Sequence, residues 1–158
     1  TFRNVIMYNK EGYRKARASG FRSGLEQTIA KQIKQARHKI RYEVMKIKWV
    51  DFSIRSYTPD FVLDNGIILE VKGFWSTSDR RKHVEIKRQH EELDIRLVFE
   101  NSKRKIRKGS KTTYGDWCKK KEILFCDRVV PKIWLKEKLV LMPPTLIETK
   151  GKLHADYS

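Results

Sequence analysis

A chain of 158 residues is long enough for one domain with a real core. Lys and Arg number 36 against 19 Asp and Glu, a formal charge of +17, which favours polyanionic partners bound with strong salt dependence and says little about fold. A hydrophobic share of 39%, with Trp49, Trp75, Trp117 and Trp134, excludes a disordered basic tail, and no apolar run approaches the ~20 residues of a membrane span.

Residues 1–22 are polar and basic and read as a flexible arm without a visible signal peptide. Ser23-Gly24-Leu25-Glu26 has the pattern of a capping box, with Glu26 three positions after the Ser23 cap. Leu25, Ile29, Ile33, Ala36 and Ile40 then recur at spacings of three and four, one apolar face of a helix over about 23–37. From Tyr42 to Phe52 the period changes to two, with Met45, Ile47 and Trp49 alternating with Lys46 and Lys48, which predicts a strand broken by residues 53–59. Phe61-Val62-Leu63 and Ile67-Ile68-Leu69 are expected to form a hairpin around Asn65-Gly66. Thr77 or Ser78 is placed to cap a charged helix over 79–91, and 94–100 alternates as a strand. A basic loop over 103–111, a short helix capped by Thr113 and Asp116, a strand over 123–126 and a helical turn over 131–135 complete the body. The tail after Pro143-Pro144 reads as loose. Cys118 and Cys126, without a CxxC or His pair, read as reduced thiols of a cytosolic type of protein. The order α-β-β-β-α-β-α-β predicts an α/β fold, a mixed central β-sheet flanked by helices.

Chemistry concentrates at Pro59-Asp60 and Glu70-Val71-Lys72, which stand at the far ends of the hairpin arms. Carboxylates hold hard divalent cations, and a nearby ammonium steadies the charge of a reacting phosphate. Within the second arm Glu70 and Lys72 share a face. Asp60 joins them only for one turn parity. A two-residue Asn65-Gly66 turn pairs Phe61 with Glu70 and sends Asp60 to the other face. A three-residue loop, with Gly66 left-handed, pairs Asp60 with Glu70. We expect the second register, or a bulge elsewhere with the same effect, since two adjacent carboxylates that share a cation justify each other. The competing reading makes Asp60 a strand-start residue and Glu70 and Lys72 solvated strand charges. A small acidic site within a cationic surface points to an enzyme that cuts nucleic acid; a basic binding module without chemistry is the alternative.

Phe21-Arg22-Ser23-Gly24-Leu25-Glu26, Tyr57-Thr58-Pro59-Asp60-Phe61, Asn65-Gly66-Ile67 and Glu70-Val71-Lys72-Gly73, taken in this order, resemble the bacteriophage endonuclease I family, the Holliday-junction resolvases of short-tailed coliphages. Asp79-Arg80-Arg81-Lys82-His83, Gln89-His90, Glu92-Leu93-Asp94-Ile95-Arg96, Lys108-Gly109-Ser110 and Tyr114-Gly115 extend the likeness over about 20–136. The resemblance implies a restriction-endonuclease-like core over 23–136, between the arm and a tail at 137–158. It implies a domain-swapped, intertwined homodimer with a bridge strand over 44–57. It places catalysis on Glu26, Asp60, Glu70 and Lys72. Metal ligands would be Asp60, Glu70, the backbone carbonyl of Val71, and Glu26, holding two Mg²⁺ per site with Mn²⁺ as a substitute. Glu26 would come from the partner chain, although its capping position is reason enough for a glutamate. The implied partner is branched DNA, four-way junctions above all, hydrolysed to 5′-phosphate and 3′-hydroxyl ends in a bacterial host cytoplasm, with no membrane and no small-molecule cofactor. A restriction-like or mismatch-nicking nuclease on the same core is the alternative activity. Candidate DNA contacts are Arg22, Ser23, Arg80, Arg81, Lys82, His83, Lys87, Lys103, Arg104, Lys105, Arg107 and Lys108. His83 and His90 are also candidate bases, although a charged helix suggests phosphate or solvent as their neighbours.

Overall fold

Two buried strands organise the architecture by sending alternate side chains to opposite faces. The computed structural model describes residues 16–50, 53–138 and 147–148. Strands β3 (Phe61–Val62), β4 (Ile68–Lys72), β5 (Ile95–Phe99) and β6 (Phe125–Asp127) form a four-stranded sheet in that order. The β3–β4 pair is antiparallel and β4–β5 and β5–β6 are parallel, so the sheet is mixed. Leu69, Val71 and Val98 face a core shared with Ile29, Ala30 and Ile33 of helix α1 (Gly24–Gln35) and with Trp134 of α4 (Lys132–Lys136). Ile68 faces the opposite way, toward Ile86 of α2 (Thr77–Gln89) and toward Met45, Ile47 and Trp49 of β1 (Met45–Val50). Leu97 and Phe99 pack with Trp75, Tyr114 and Cys118, the last two on α3 (Tyr114–Lys120). Helices therefore flank both sheet faces, as the patterning requires. Burial holds both cysteines as thiols, with pKa values pushed up to about 12.

The hairpin takes the odd-length loop. Val62 stands opposite Ile68 and Phe61 opposite Leu69. The Leu63 N–H donates to Ile67 O (2.8 Å) and the Gly66 N–H to Leu63 O (3.0 Å). Gly66 is left-handed at φ 85°, where a Cβ would be strained. Buried Asn65 locks the loop by donating through Nδ2 to Trp134 O (2.8 Å) and Glu137 O (3.3 Å). Carried one residue past the end of that ladder, the same register sets Asp60 opposite Glu70.

Several expectations are corrected. Within the stretch assigned to the arm, Ala16 and Phe21 are buried in the core beside α1; residues 1–15 lie outside the described residues. Ser23 caps α1, but only half of the expected capping box forms, since Glu26 turns its carboxylate elsewhere. Ser76, not Thr77 or Ser78, caps α2, with Asp79 completing the box. The last strand runs Phe125–Asp127, beginning two residues later than read. Residues 53–59 include a strand, β2 (Ile54–Tyr57), hidden because only Tyr57 of its four residues is buried. β2 folds back on β1, Val50 opposite Ile54 and Ile47 opposite Tyr57. In this chain the run expected to bridge two subunits contains the β1–β2 hairpin, and residues 51–52 lie outside the described residues. In the tail read as loose, β7 (Ile147–Glu148) pairs with Met45 and Lys46 of β1, whose other edge carries β2.

Candidate functional site

Register, burial and hydrogen bonding bring Glu70, Lys72 and Asp60 together. Glu70 is only 2% exposed, and both of its oxygens are engaged. Tyr57 donates its hydroxyl to Oε2 at 2.6 Å. Lys72 sets its Nζ 2.7 Å from Oε1. Burial pushes the Glu70 pKa up, but the Lys72 ammonium and the hydrogen bonds outweigh it and hold the group below the usual glutamate range. Glu70 in turn holds Lys72 above the usual lysine range, against the opposing effect of burial. Asp60 accepts the Val71 N–H through Oδ2 at 2.8 Å. Burial first, then the charges of Glu70 and Glu26, drive its pKa well above the ordinary aspartate value.

Glu26 joins this group in the same chain. Its Oε2 accepts the Arg22 N–H and the Tyr42 hydroxyl, each at 2.7 Å, instead of closing the capping box. Burial, and then the hydrogen bond to Glu26, raise the Tyr42 pKa. The Arg22 guanidinium pairs with Glu43, whose backbone N–H donates to Asp60 O at 3.0 Å.

The donor set fits a divalent cation. Asp60, just before β3, and Glu70, on β4, are buried carboxylates, and Asp60 carries the electrostatic stress that a cation relieves. Among the described residues no group of three or more His, Cys, Asp or Glu side chains is arranged to hold a metal ion, so water would have to complete the coordination. Carboxylate oxygens completed by water suit a hard divalent cation.

The candidate DNA contacts divide by burial. Arg81, Lys103, Arg104, Lys105, Arg107 and Lys108 are exposed. Lys87 is exposed but donates to Lys121 O and Glu122 O, and Arg104 donates to Gly73 O. Lys82 is half-buried, with its Nζ 4.9 Å from the centre of the Tyr57 ring. Ser23 is occupied as the cap of α1. Two candidates are buried. Arg80 is buried and donates to Trp75 O (2.6 Å) and Thr77 Oγ1 (2.9 Å), anchoring the start of α2. His83 is 4% exposed, and Nε2 stands 3.8 Å from Glu70 Oε1. Burial lowers its pKa to about 4, so it is a neutral imidazole. His90 does lie near the surface, with its Nε2 2.6 Å from Lys48 O. Sequence reasoning missed Tyr57 as a member of the site. Its signal was faint: one aromatic residue three positions before Asp60, on a strand with no alternation.

Comparison with known proteins finds a matching family model and similar phage proteins. The family model for phage endonuclease I covers residues 7–154, beyond the 20–136 over which the motifs carried the likeness. "Endonuclease I" of Escherichia phage T7 is 46% identical over 145 residues, 91% of this chain and 96% of that protein. "Endodeoxyribonuclease 1" of Enterobacteria phage T3 is 48% identical over 131 residues, 82% of this chain and 86% of that protein. The chain belongs to the phage endonuclease I family.

Proposed function

We propose that this phage endodeoxyribonuclease resolves branched DNA, four-way junctions above all, by metal-assisted phosphodiester hydrolysis at the Glu26, Asp60, Glu70 and Lys72 site. The observation that carries the reading is the register that sets Asp60 beside Glu70 with Lys72 on the same strand. Asp60, Glu70 and the Val71 carbonyl hold Mg²⁺, with Mn²⁺ as a substitute, and Glu26 helps to hold a second ion. The bound ions supply neutralisation of the phosphate charge and a more acidic water. Lys72 orients the attacking water or steadies the charge of the phosphate, and the products carry 5′-phosphate and 3′-hydroxyl ends. The net charge of +17 draws the protein to DNA and contributes affinity without sequence preference. Among the described residues no helix is long and apolar enough to cross a membrane; the proposed place of action is the bacterial host cytoplasm.

The functional unit is a homodimer in which α1 crosses to the partner. The β1–β2 hairpin is the segment that would straighten to carry it. A four-way junction and its separate linear duplex arms, each incubated with protein and Mg²⁺, test the activity. Cleavage of the junction alone is expected. Equal cutting of both would favour a restriction-like or mismatch-nicking enzyme, and no product would leave a binding module.

A further inference from the structure

Among the described residues, three groups able to donate a hydrogen stand at the Glu70 carboxylate, and two of them bond to it. Tyr57 holds Oε2 and Lys72 holds Oε1. The third, His83 Nε2, stands 3.8 Å from Oε1, beyond hydrogen-bond reach, and is buried without a hydrogen-bond partner. The large majority of buried side-chain polar atoms in folded proteins have a hydrogen-bond partner, so an orphan at a site's edge points to a second state that uses it. The acceptor it faces is a carboxylate, so Nε2 must carry the hydrogen for that use.

We propose that His83 is a positioning residue for Glu70, taking over Oε1 when Lys72 leaves it for the substrate. The inference rests on the assignment of Lys72 and Glu70 above. Lys72 is the member able to leave, because its side chain is 19% exposed and sits on a flexible stem. His83 is fixed. Its ring meets Tyr57 edge-on, centroids 5.5 Å apart, and lies 6.1 Å from Trp75. Its helix, α2, is tied down at its start by the Ser76–Asp79 capping box and by Arg80. Shortening 3.8 Å to the usual ~2.9 Å needs a shift of only about 0.9 Å in the carboxylate. Without His83, departure of Lys72 would leave Oε1 of a buried carboxylate with nothing from this chain to orient it. Tyr57 and His83 together would then keep Glu70 in one orientation whichever way Lys72 points.

The test compares His83→Leu, which removes the donor, with His83→Gln, which keeps an N–H at nearly the same reach. Three readings are taken: kcat and KM on a four-way junction in Mg²⁺, binding of Mn²⁺ alone to the DNA-free protein by calorimetry, and melting temperature. Loss of a group that orients a ligand costs ~10–100-fold in metal affinity or activity, so His83→Leu should lose that much in kcat with KM unchanged and bind Mn²⁺ more weakly. His83→Gln should restore both. Wild-type kcat and Mn²⁺ affinity in His83→Leu, or equal impairment in the two variants, would overturn the proposal. If His83→Leu does not fold, His83→Asn replaces it, since its shorter amide falls short of Glu70 and carries the same expectation. A wild-type protein that cuts no junction would instead sink the nuclease reading of the site, so the two failures are separable.

Discussion

Tyr57→Phe removes one oxygen from the protein and tests the electrostatics of the site. The Tyr57 hydroxyl is buried and donates to Glu70 Oε2 at 2.6 Å, a short bond to an ionised group. Hydrogen bonds to charged groups contribute ~1.5–3 kcal/mol, and phenylalanine keeps the ring packing, so about 2 kcal/mol of stability should be lost. At ~2–4 °C per kcal/mol for a domain near this size, the melting temperature should fall by about 4–8 °C. Tyr114→Phe is the control, because the Tyr114 hydroxyl accepts the Trp75 N–H, a neutral bond of 3.1 Å contributing nearer ~1 kcal/mol. Calorimetry at pH 7.5 in a chelator, followed by junction cleavage in Mg²⁺, makes the comparison. Tyr57→Phe should melt earlier than Tyr114→Phe and also lose ~10–100-fold in activity, which Tyr114→Phe should retain. Equal melting of Tyr57→Phe and wild type would refute the claim that Glu70 is held as a buried, oriented carboxylate.

Asp60→Asn should abolish cleavage yet raise the metal-free melting temperature at pH 8, by about 1 kcal/mol equivalent, because it removes a carboxylate that burial and two anions disfavour. The sign follows from the raised pKa. Asp60 supports folding at low pH and opposes it as pH rises through its folded value, so the gain from Asp60→Asn should shrink on acidification. A pH series of thermal melts reads this, and an advantage that grows toward acid would contradict it. Gly66→Ala puts a Cβ at φ 85° and should cost ~1–2 kcal/mol by denaturant unfolding. Junction affinity should fall steeply and log-linearly with salt, as titration by gel shift would show; a flat dependence would remove the basic surface from the binding account.

What the sequence revealed depended on the range of the force that decided each feature. Local rules were legible. Gly66 and Asn65 announced the turn, and the need to place Asp60 beside Glu70 selected its parity. Thr113 and Asp116 announced the cap of α3. Features set by distant partners were not legible. β2 carries three exposed residues and is a strand only because β1 offers it an edge. Glu26 looked committed to Ser23 until Tyr42, sixteen positions on, supplied a stronger donor. His83 sits in a helix with charges on nearly every side of it in sequence, and the turn that buries it against Glu70 depends on how α2 packs across β4.

The same distinction bears on how two chains would share a site. The groups that orient Glu26 are Arg22 and Tyr42, both on its own side of the β1–β2 hairpin. The groups that orient Glu70, namely Tyr57 and Lys72, lie on the other side with Asp60. Each half is thus organised before the halves meet, and exchanging α1 between chains would leave both sets of contacts unchanged. Co-expression of Glu26→Gln with Asp60→Asn tests that exchange. If Glu26 acts in trans, random pairing makes half the dimers mixed. Each mixed dimer has one site with both defects and one with neither, so about a quarter of all sites are intact and junction nicking recovers to that level. If Glu26 acts within its own chain, every site carries one defect and no activity returns.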